Sequence, residues 1–196
     1  DVHDTKRRYI ETAESVDFKD DAWDALFCFK KDAATGEVEY AGYMTLYTFM
    51  NPVAGARVRI CQALVLPHLQ GTGIGRELLL SAYRLAASRG DVTQLTVESP
   101  CEAFSRLRDR CDLEWALTRN ALPAHCHSLV TGRATALPAA SFPTVAWDAA
   151  SIKNTATCAM MTPAPARFLH EVLVYAATKP AYPCEGPAAR DTTGPG

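Results

Sequence analysis

Apolar side chains recur along the chain with two periods, near 2 and near 3.6 residues, and the switches between them mark out its elements. Thr5–Ala13 carries a helical pattern and is followed by a polar connection at Ser15–Asp21. Ala22–Lys30 holds Trp23, Leu26, Phe27, Cys28 and Phe29, an aromatic-rich stretch that predicts a strand. The turn Asp32-Ala33-Ala34-Thr35-Gly36 leads into Val38–Phe49, whose aromatic and β-branched residues predict the second strand of a meander. Asn51-Pro52 and Gly55 break the pattern, and Val58–Leu66 predicts a third strand. Over Ile74–Ser88 the period lengthens: Ile74, Leu78, Leu79, Ala82, Leu85 and Ala86 line one helical face, and Gly90 closes the helix. Val92–Glu98 predicts a fourth strand stopped by Pro100, and Glu102–Arg110 a short helix with Phe104 and Leu107 inward.

Beyond Leu113 the periodicity fades. Leu117–Pro165 is rich in Ala, Pro and Thr and reads as irregular connection, whereas Arg167–Ala176 recovers a helical pattern through Phe168, Leu169, Val172 and Leu173. The expected organisation is an α+β core over 1–116, an irregular Ala/Pro-rich connection over 117–165, a helix over 166–178 and a disordered Pro/Gly-rich tail over 179–196. The chain opens at Asp1, without a methionine, directly into a helical pattern. The expectation is a piece of a longer protein whose N-terminal part is missing.

Composition changes this picture little. A chain of 196 residues, 48% hydrophobic, supports one globular domain with a sizeable core. A formal net charge of -2 gives no global basic field for nucleic acid and mildly favours a cationic partner. The first ten residues are mostly polar, without the pattern of a signal peptide, and no apolar run approaches a membrane span. A soluble protein with no membrane partner is expected. The seven cysteines are odd in number and irregularly spaced, which favours reduced thiols and an intracellular location. His125-Cys126-His127 matches no standard zinc spacing and has no second ligand pair nearby, so no metal is expected.

The most informative stretch is Gln70-Gly71-Thr72-Gly73-Ile74-Gly75, between the third strand and the first long helix. Glycines at alternating positions let the backbone turn tightly and approach a ligand, and the helix start points unpaired N–H groups at the same spot. An anion is favoured there. A P-loop would need Lys-Ser/Thr after the glycines, and a G-x-G-x-x-G fingerprint fails because its last position falls on Arg76. What remains, Gln-x-x-Gly-x-Gly, is similar to the pyrophosphate loop of the GNAT superfamily of N-acetyltransferases; the alternative is a glycine-rich turn with no ligand.

Acyl transfer from a thioester to an amine needs a fixed acyl carrier, a donor for the developing oxyanion and a base for the ammonium proton. Glu98 ends the fourth strand where a cleft would open, and by position reads equally as a base or as an ordinary strand-end acid. Glu11 reads from sequence alone as part of a solvated helix face. The backbone of Ala63–Val65 could align an extended ligand arm, or simply form a core strand. Cys61 and Cys101 flank this region and leave an acyl-cysteine route conceivable.

Tyr9-Ile10-Glu11-Thr12-Ala13, Gly42 through Tyr47, Gln62 through Leu66, the glycine loop, Glu98-Ser99-Pro100 and Leu107-Arg108-Asp109-Arg110 follow one another in an order that resembles the catalytic subunits of type B histone acetyltransferases, a GNAT branch. The resemblance covers roughly Arg7 to Leu113, and Arg167–Ala176 resembles a later helix of that family. It implies the α+β GNAT acyl-CoA N-acyltransferase fold, a mixed central sheet flanked by helices. It also implies acetyl-CoA as co-substrate and direct attack by a lysine ε-amine of a core histone tail, notably histone four.

By the same resemblance Glu98 matches the general base and Glu11 a second carboxylate that assists it. Ala63, Leu64 and Val65 match the strand that binds acetyl-CoA; Gln70, Gly71, Thr72, Gly73, Ile74, Gly75 and Arg76 match its pyrophosphate loop. Arg110 matches a cofactor-contacting arginine, or is a surface helix charge. Tyr47, Thr48 and Phe49 match residues lining the peptide groove, or are sheet aromatics and their neighbour. A WD40-repeat histone chaperone is the implied partner, and nucleus and cytoplasm the implied locations. Two positions depart from the pattern: Ser99 replaces an aspartate after the base, and Cys101 replaces a polar residue that helps hold the cofactor. Two other readings stand beside this one: a GNAT enzyme acting on a small amine or a protein N-terminus, and a non-catalytic histone-binding module with a vestigial acetyl-CoA site.

Overall fold

The computed structural model describes residues 16–17, 19–123 and 148–178. Three strands form a meander, β1 (Trp23–Lys31), β2 (Val38–Phe49) and β3 (Ala56–Val65), and a 3-10 turn at Pro67–Leu69 leads into α1 (Ile74–Ser88). β4 (Val92–Val97), α2 (Glu102–Thr118), α3 (Ala149–Cys158) and α4 (Pro163–Thr178) follow. The sheet order is β1-β2-β3-β4, with β1/β2 and β2/β3 antiparallel and β3/β4 parallel. That mixed sheet flanked by helices is the α+β architecture expected from the pattern of periods.

Tight turns set the register of the meander. Asp32 caps the β1–β2 turn by accepting from the backbone N–H groups of Ala34 and Thr35, both at 2.8 Å. At Gly42 the β2 backbone passes so close to β3 that an added Cβ would lie 2.2 Å from the Leu64 carbonyl oxygen. α1 then buries Leu78, Leu79, Ala82, Tyr83 and Ala86 against Met44, Leu46, Val58, Ile60 and Leu95 of the sheet. This is the 3.6-residue stripe of α1 meeting one two-residue face of the strands.

Two expectations are corrected, the short helix over Glu102–Arg110 and the irregular connection over 117–165. α2 does not stop at Arg110: Cys111 and Trp115 continue the stripe begun by Leu107, both are buried, and the helix runs to Thr118. Residues 149–158 form α3, capped by the Asp148 carboxylate, which accepts from Ala150 N–H at 2.9 Å. Its inward face is Ile152, Thr155 and Ala156, small or polar enough to hide the period in the sequence. Thr155 donates its hydroxyl to Ala121 carbonyl (2.8 Å) and lies 3.1 Å from His170 Nε2, tying α3 to the end of α2 and to α4. The expected helix over 5–13 and the disordered tail over 179–196 lie outside the described residues, as does His125-Cys126-His127.

α1 and α2 share a buried polar contact. The Tyr83 hydroxyl donates to Asp112, and Arg108 Nε sits 3.5 Å from the other Asp112 oxygen. Burial holds the Asp112 carboxyl above its ordinary range, opposed by the Arg108 charge, and holds the Tyr83 phenol well above its own. Trp115 stacks on Tyr83 with ring centroids 5.3 Å apart. Beside them burial, aided by the Glu114 and Asp112 charges, pushes the Cys111 thiol from 9.0 up to about 11.

Two consequences can be measured. Gly42→Ala forces backbone away from backbone, so the fold should lose about 2 kcal/mol or more, read as a lowered denaturant midpoint. Cys111 stays protonated in the native state while the unfolded thiol ionises, so the unfolded state binds fewer protons and stability falls as pH rises from 9.0 to about 11. Cys111→Ala should flatten that slope in urea titrations across the same window.

Candidate active site

The site is built where β3 and β4 part. Their parallel pairing ends at Ile60↔Val97, and Glu98 N–H adds one more bond to the Ile60 carbonyl at 2.9 Å. Beyond it β3 runs on through Ala63, Leu64 and Val65, paired with Met44, Tyr43 and Gly42 of β2 on its other side. The chain after Glu98 turns away: Ser99 takes a left-handed φ of 39°, Pro100 follows, and Cys101 begins α2. Among the described residues no strand covers the β4-side edge of Ala63–Val65. A register shift between Thr45 and Leu46 of β2 passes over Cys61, a β-bulge that bends β3 at the fork.

The far end of this open edge is the glycine loop. Gln70 turns its side-chain amide inward, donating to the Val65 carbonyl at 3.1 Å, and Thr72 donates to the Leu69 carbonyl at 2.6 Å. Gly71 has φ 76° and Gly73 φ 93°, values that disfavour any side chain although neither site is crowded. Gly73 caps α1, whose first intrahelical bond is Glu77 N–H to Gly73 carbonyl at 3.1 Å. The N–H groups of Ile74, Gly75 and Arg76 precede it and have no acceptor within the helix. Together they point three unpaired amides out of a helix N-terminus, the kind of donor group that suits an anion.

Two helices meet at this loop. A Cβ on Gly75 would stand 3.1 Å from Leu107 of α2, so the loop packs directly on that helix. The Arg76 guanidinium is taken up by carboxylates, with Nε donating to Glu114 at 2.9 Å and a second contact to Glu77. The hydrogen bond to Glu114 raises the Arg76 pKa above its ordinary value. Arg76 therefore faces the loop with its charge largely balanced, leaving the backbone amides as the available donors. Arg110 is exposed on α2, three residues after Leu107 and so on the neighbouring strip of the same helix.

Glu98 is exposed at the fork, and Glu11 lies outside the described residues. Tyr47, Thr48 and Phe49 do not act as one surface. The Thr48 side chain is buried on the α1 side, its hydroxyl accepting from Arg89 Nη1 at 3.0 Å. Tyr47 and Phe49 alternate to the other face, where Tyr47 meets Trp23 (ring centroids 5.0 Å) and Phe49 (4.7 Å). The register sets Tyr47 beside Arg59, and Arg59 beside Thr96, two residues before Glu98. The rings and the fork thus share one side of the sheet.

The sequence reading missed Trp23, Arg59 and Glu114 as members of this neighbourhood. Trp23 and Arg59 reach it through strand register, and Glu114 through helix packing. The alternation Arg57-Val58-Arg59 was the one local signal, since it sends both arginines to the same side. Tyr43 and Gln62 also face each other on that side, 3.5 Å apart, and burial pushes the Tyr43 phenol up to about 12.

Comparison with known proteins agrees with this geometry. The profile of the Acetyltransferase (GNAT) family matches residues 2–106. The chain is 31% identical to the histone acetyltransferase type B catalytic subunit of Kluyveromyces lactis, over 58% of this chain and 31% of that protein. It is 35% identical to the Mus musculus protein of the same name and 34% identical to the Homo sapiens one, each over 52% of this chain and 25% of the relative. The chain therefore spans about a quarter to a third of the length of these relatives. With a family profile matched over more than half its length, a glycine nest at a helix start and a forked mixed sheet, the chain belongs to the GNAT family of acetyltransferases.

Proposed function

We propose that this chain carries the catalytic core of a histone acetyltransferase, moving acetyl from acetyl-CoA to a lysine ε-amine of a core histone tail, histone four first among them. The observation that carries the reading is the fork: an uncovered strand edge with unpaired helix-start amides at one end and a carboxylate at the other. The histone assignment draws on the names of the relatives. From the resemblance of the sequence to the type B histone acetyltransferase branch, a WD40-repeat histone chaperone is the proposed partner, and nucleus and cytoplasm the proposed locations.

Acetyl-CoA is the co-substrate of the family, and its thioester supplies the acyl group. The residues present fit it. The amides of Ile74, Gly75 and Arg76, with the Gly71 and Gly73 turns that let the backbone close in, suit a pyrophosphate. Ala63, Leu64 and Val65 offer backbone groups to an extended arm laid along β3 and a donor for the oxyanion. Arg110 stands on the helix that packs on the loop, within the strip that would face the nucleotide.

Glu98 is the proposed general base. A lysine amine with a pKa of roughly 10.4 is almost wholly protonated at neutral pH, so it cannot attack until a carboxylate takes its proton. Glu98 is exposed where the strands part, open to a substrate and to water. Glu11 is the proposed assistant, and Tyr47 and Phe49 the proposed groove wall for the peptide. With Ser99 where the resembled family has an aspartate, Glu98 and Glu11 are the carboxylates left to receive the proton and to attract the ammonium.

Transfer from labelled acetyl-CoA to a histone-four tail peptide tests the reading. Glu98→Gln should lower kcat by about a hundredfold or more at neutral pH with little change in acetyl-CoA affinity. Wild-type chain that binds acetyl-CoA but transfers to no lysine peptide would overturn the lysine acetyltransferase assignment. A second measurement isolates the loop: Gly73→Ala imposes a side chain at φ 93°, a cost of about 1–2 kcal/mol for left-handed backbone. Acetyl-CoA affinity should fall roughly tenfold by calorimetry, with the thermal protection it gives reduced to match.

A further inference from the structure

The sheet face that carries the fork also carries two arginines that have no carboxylate partner among the described residues. Register places Trp23, Tyr47, Phe49, Arg57, Arg59 and Thr96 on this face, with Trp23↔Tyr47↔Arg59↔Thr96 in one row and Phe49↔Arg57 in the next. Among the described residues Arg76, Arg84, Arg89, Arg106 and Arg108 each close on a carboxylate. Arg57 and Arg59 do not, and neither do Arg110, Arg119 and Arg167, but Arg57 and Arg59 are the two that share one strand and one face. Arg59 instead lies over the Phe49 ring, its guanidinium carbon 4.6 Å from the centroid. Arg57 is exposed and Arg59 half-buried.

This is an unusual place to hold two like charges. Residues two apart on a strand stand about 7 Å from each other on the same face, close enough for their charges to repel. The ring beneath Arg59 fixes its long side chain, so little mobility is left to lose on binding. A planar guanidinium held in this way favours carboxylate or phosphate oxygens. The rows also set a distance. Arg59 is one strand over and about two residues back from the Glu98 position, and Arg57 about two residues further. An extended peptide rising about 3.3 Å per residue spans that gap in roughly two to four residues.

We propose that Arg57 and Arg59 select the peptide by receiving an anionic group, a carboxylate or a phosphorylated serine, that lies roughly two to four residues from the acceptor lysine. The inference rests on the lysine acetyltransferase reading above and narrows its substrates. The two arginines touch neither the amine nor the thioester in this arrangement, so their effect falls on KM and leaves the chemical step to the fork.

The test uses the histone-four tail peptide unmodified and in versions with one aspartate or one phosphoserine, at each of two, three and four residues on either side of the acceptor. At one position or more kcat/KM should rise roughly five- to tenfold through KM, and the gain should fade in high salt. A gain with both groups assigns a general anion site, and a gain with phosphoserine alone assigns a phosphate reader. Arg57→Glu should invert the preference, favouring a lysine over an aspartate at the same position, which a merely structural arginine would not do. Equal kcat/KM for every version, with robust transfer to the unmodified peptide, overturns this inference and leaves the proposed activity standing. No transfer to any version removes the activity itself, and the inference falls with it.

Discussion

One strand pair that stops early organises the molecule. A parallel ladder between β3 and β4 could have run to the end of β3, but it ends at Ile60 and Glu98, and among the described residues no strand pairs with β3 beyond that point on that side. Backbone groups without partners are costly when buried, so the open edge is sustainable only at a surface or against a ligand. The outer edge of β4 is treated differently. Leu95 donates to the Met160 carbonyl at 2.7 Å and accepts from Arg108 at 3.4 Å. The α3–α4 junction supplies a partner on the outer edge of β4, while among the described residues the β4-side edge of Ala63–Val65 has none. The bulge at Cys61 and the left-handed Ser99 are the local devices that bend the two chains apart.

The electrostatics divide along the same line. Charge near the glycine loop is neutralised inside the protein, with Arg76 held by Glu114 and Glu77, so the loop offers oriented amides in place of a free cation. Deeper in, Asp112 lies between Tyr83 and Arg108 and joins α1 to α2, which keeps the loop and its neighbouring helix in fixed relation. On the opposite face the balance is reversed, and among the described residues Arg57 and Arg59 have no carboxylate beside them. Oriented amides at one end and guanidinium groups at the other present two different kinds of donor on one sheet.

Those differences explain what was legible in the sequence. α1 could be read because it buries a full stripe, so period and boundary coincide; β2, buried on both faces from Ala41 to Leu46, could be read from its aromatic and β-branched content. The glycine loop was legible because its conformation demands a residue type, and Gly71 and Gly73 do adopt positive φ. The strand-end position of Glu98 followed from Pro100, which cannot continue a ladder. α3 was not legible, since its inward positions include Thr155, whose buried hydroxyl is satisfied by Ala121 only after the chain has folded. Thr48 was grouped with Tyr47 and Phe49 because the three are contiguous, yet alternation sends its side chain to Arg89. The Arg59–Phe49 contact lies beyond any local pattern, because it depends on a register fixed by the turn and bulge between two strands.

Face and edge then have separate duties. The edge of β3 is backbone, identical in kind whatever side chains it carries, and so is suited to a donor molecule common to a whole family. The face is side chain, and every residue that reaches it was chosen by alternation: Trp23, Tyr47, Phe49, Arg57 and Arg59. Changes there leave the fork's hydrogen bonds intact, because those bonds run in the plane of the sheet while the side chains stand perpendicular to it. The acceptor preference of such a chain is therefore free to vary independently of its donor. Glu98 is the point where the two meet, since its amide extends the ladder and its exposed side chain lies where the strands part.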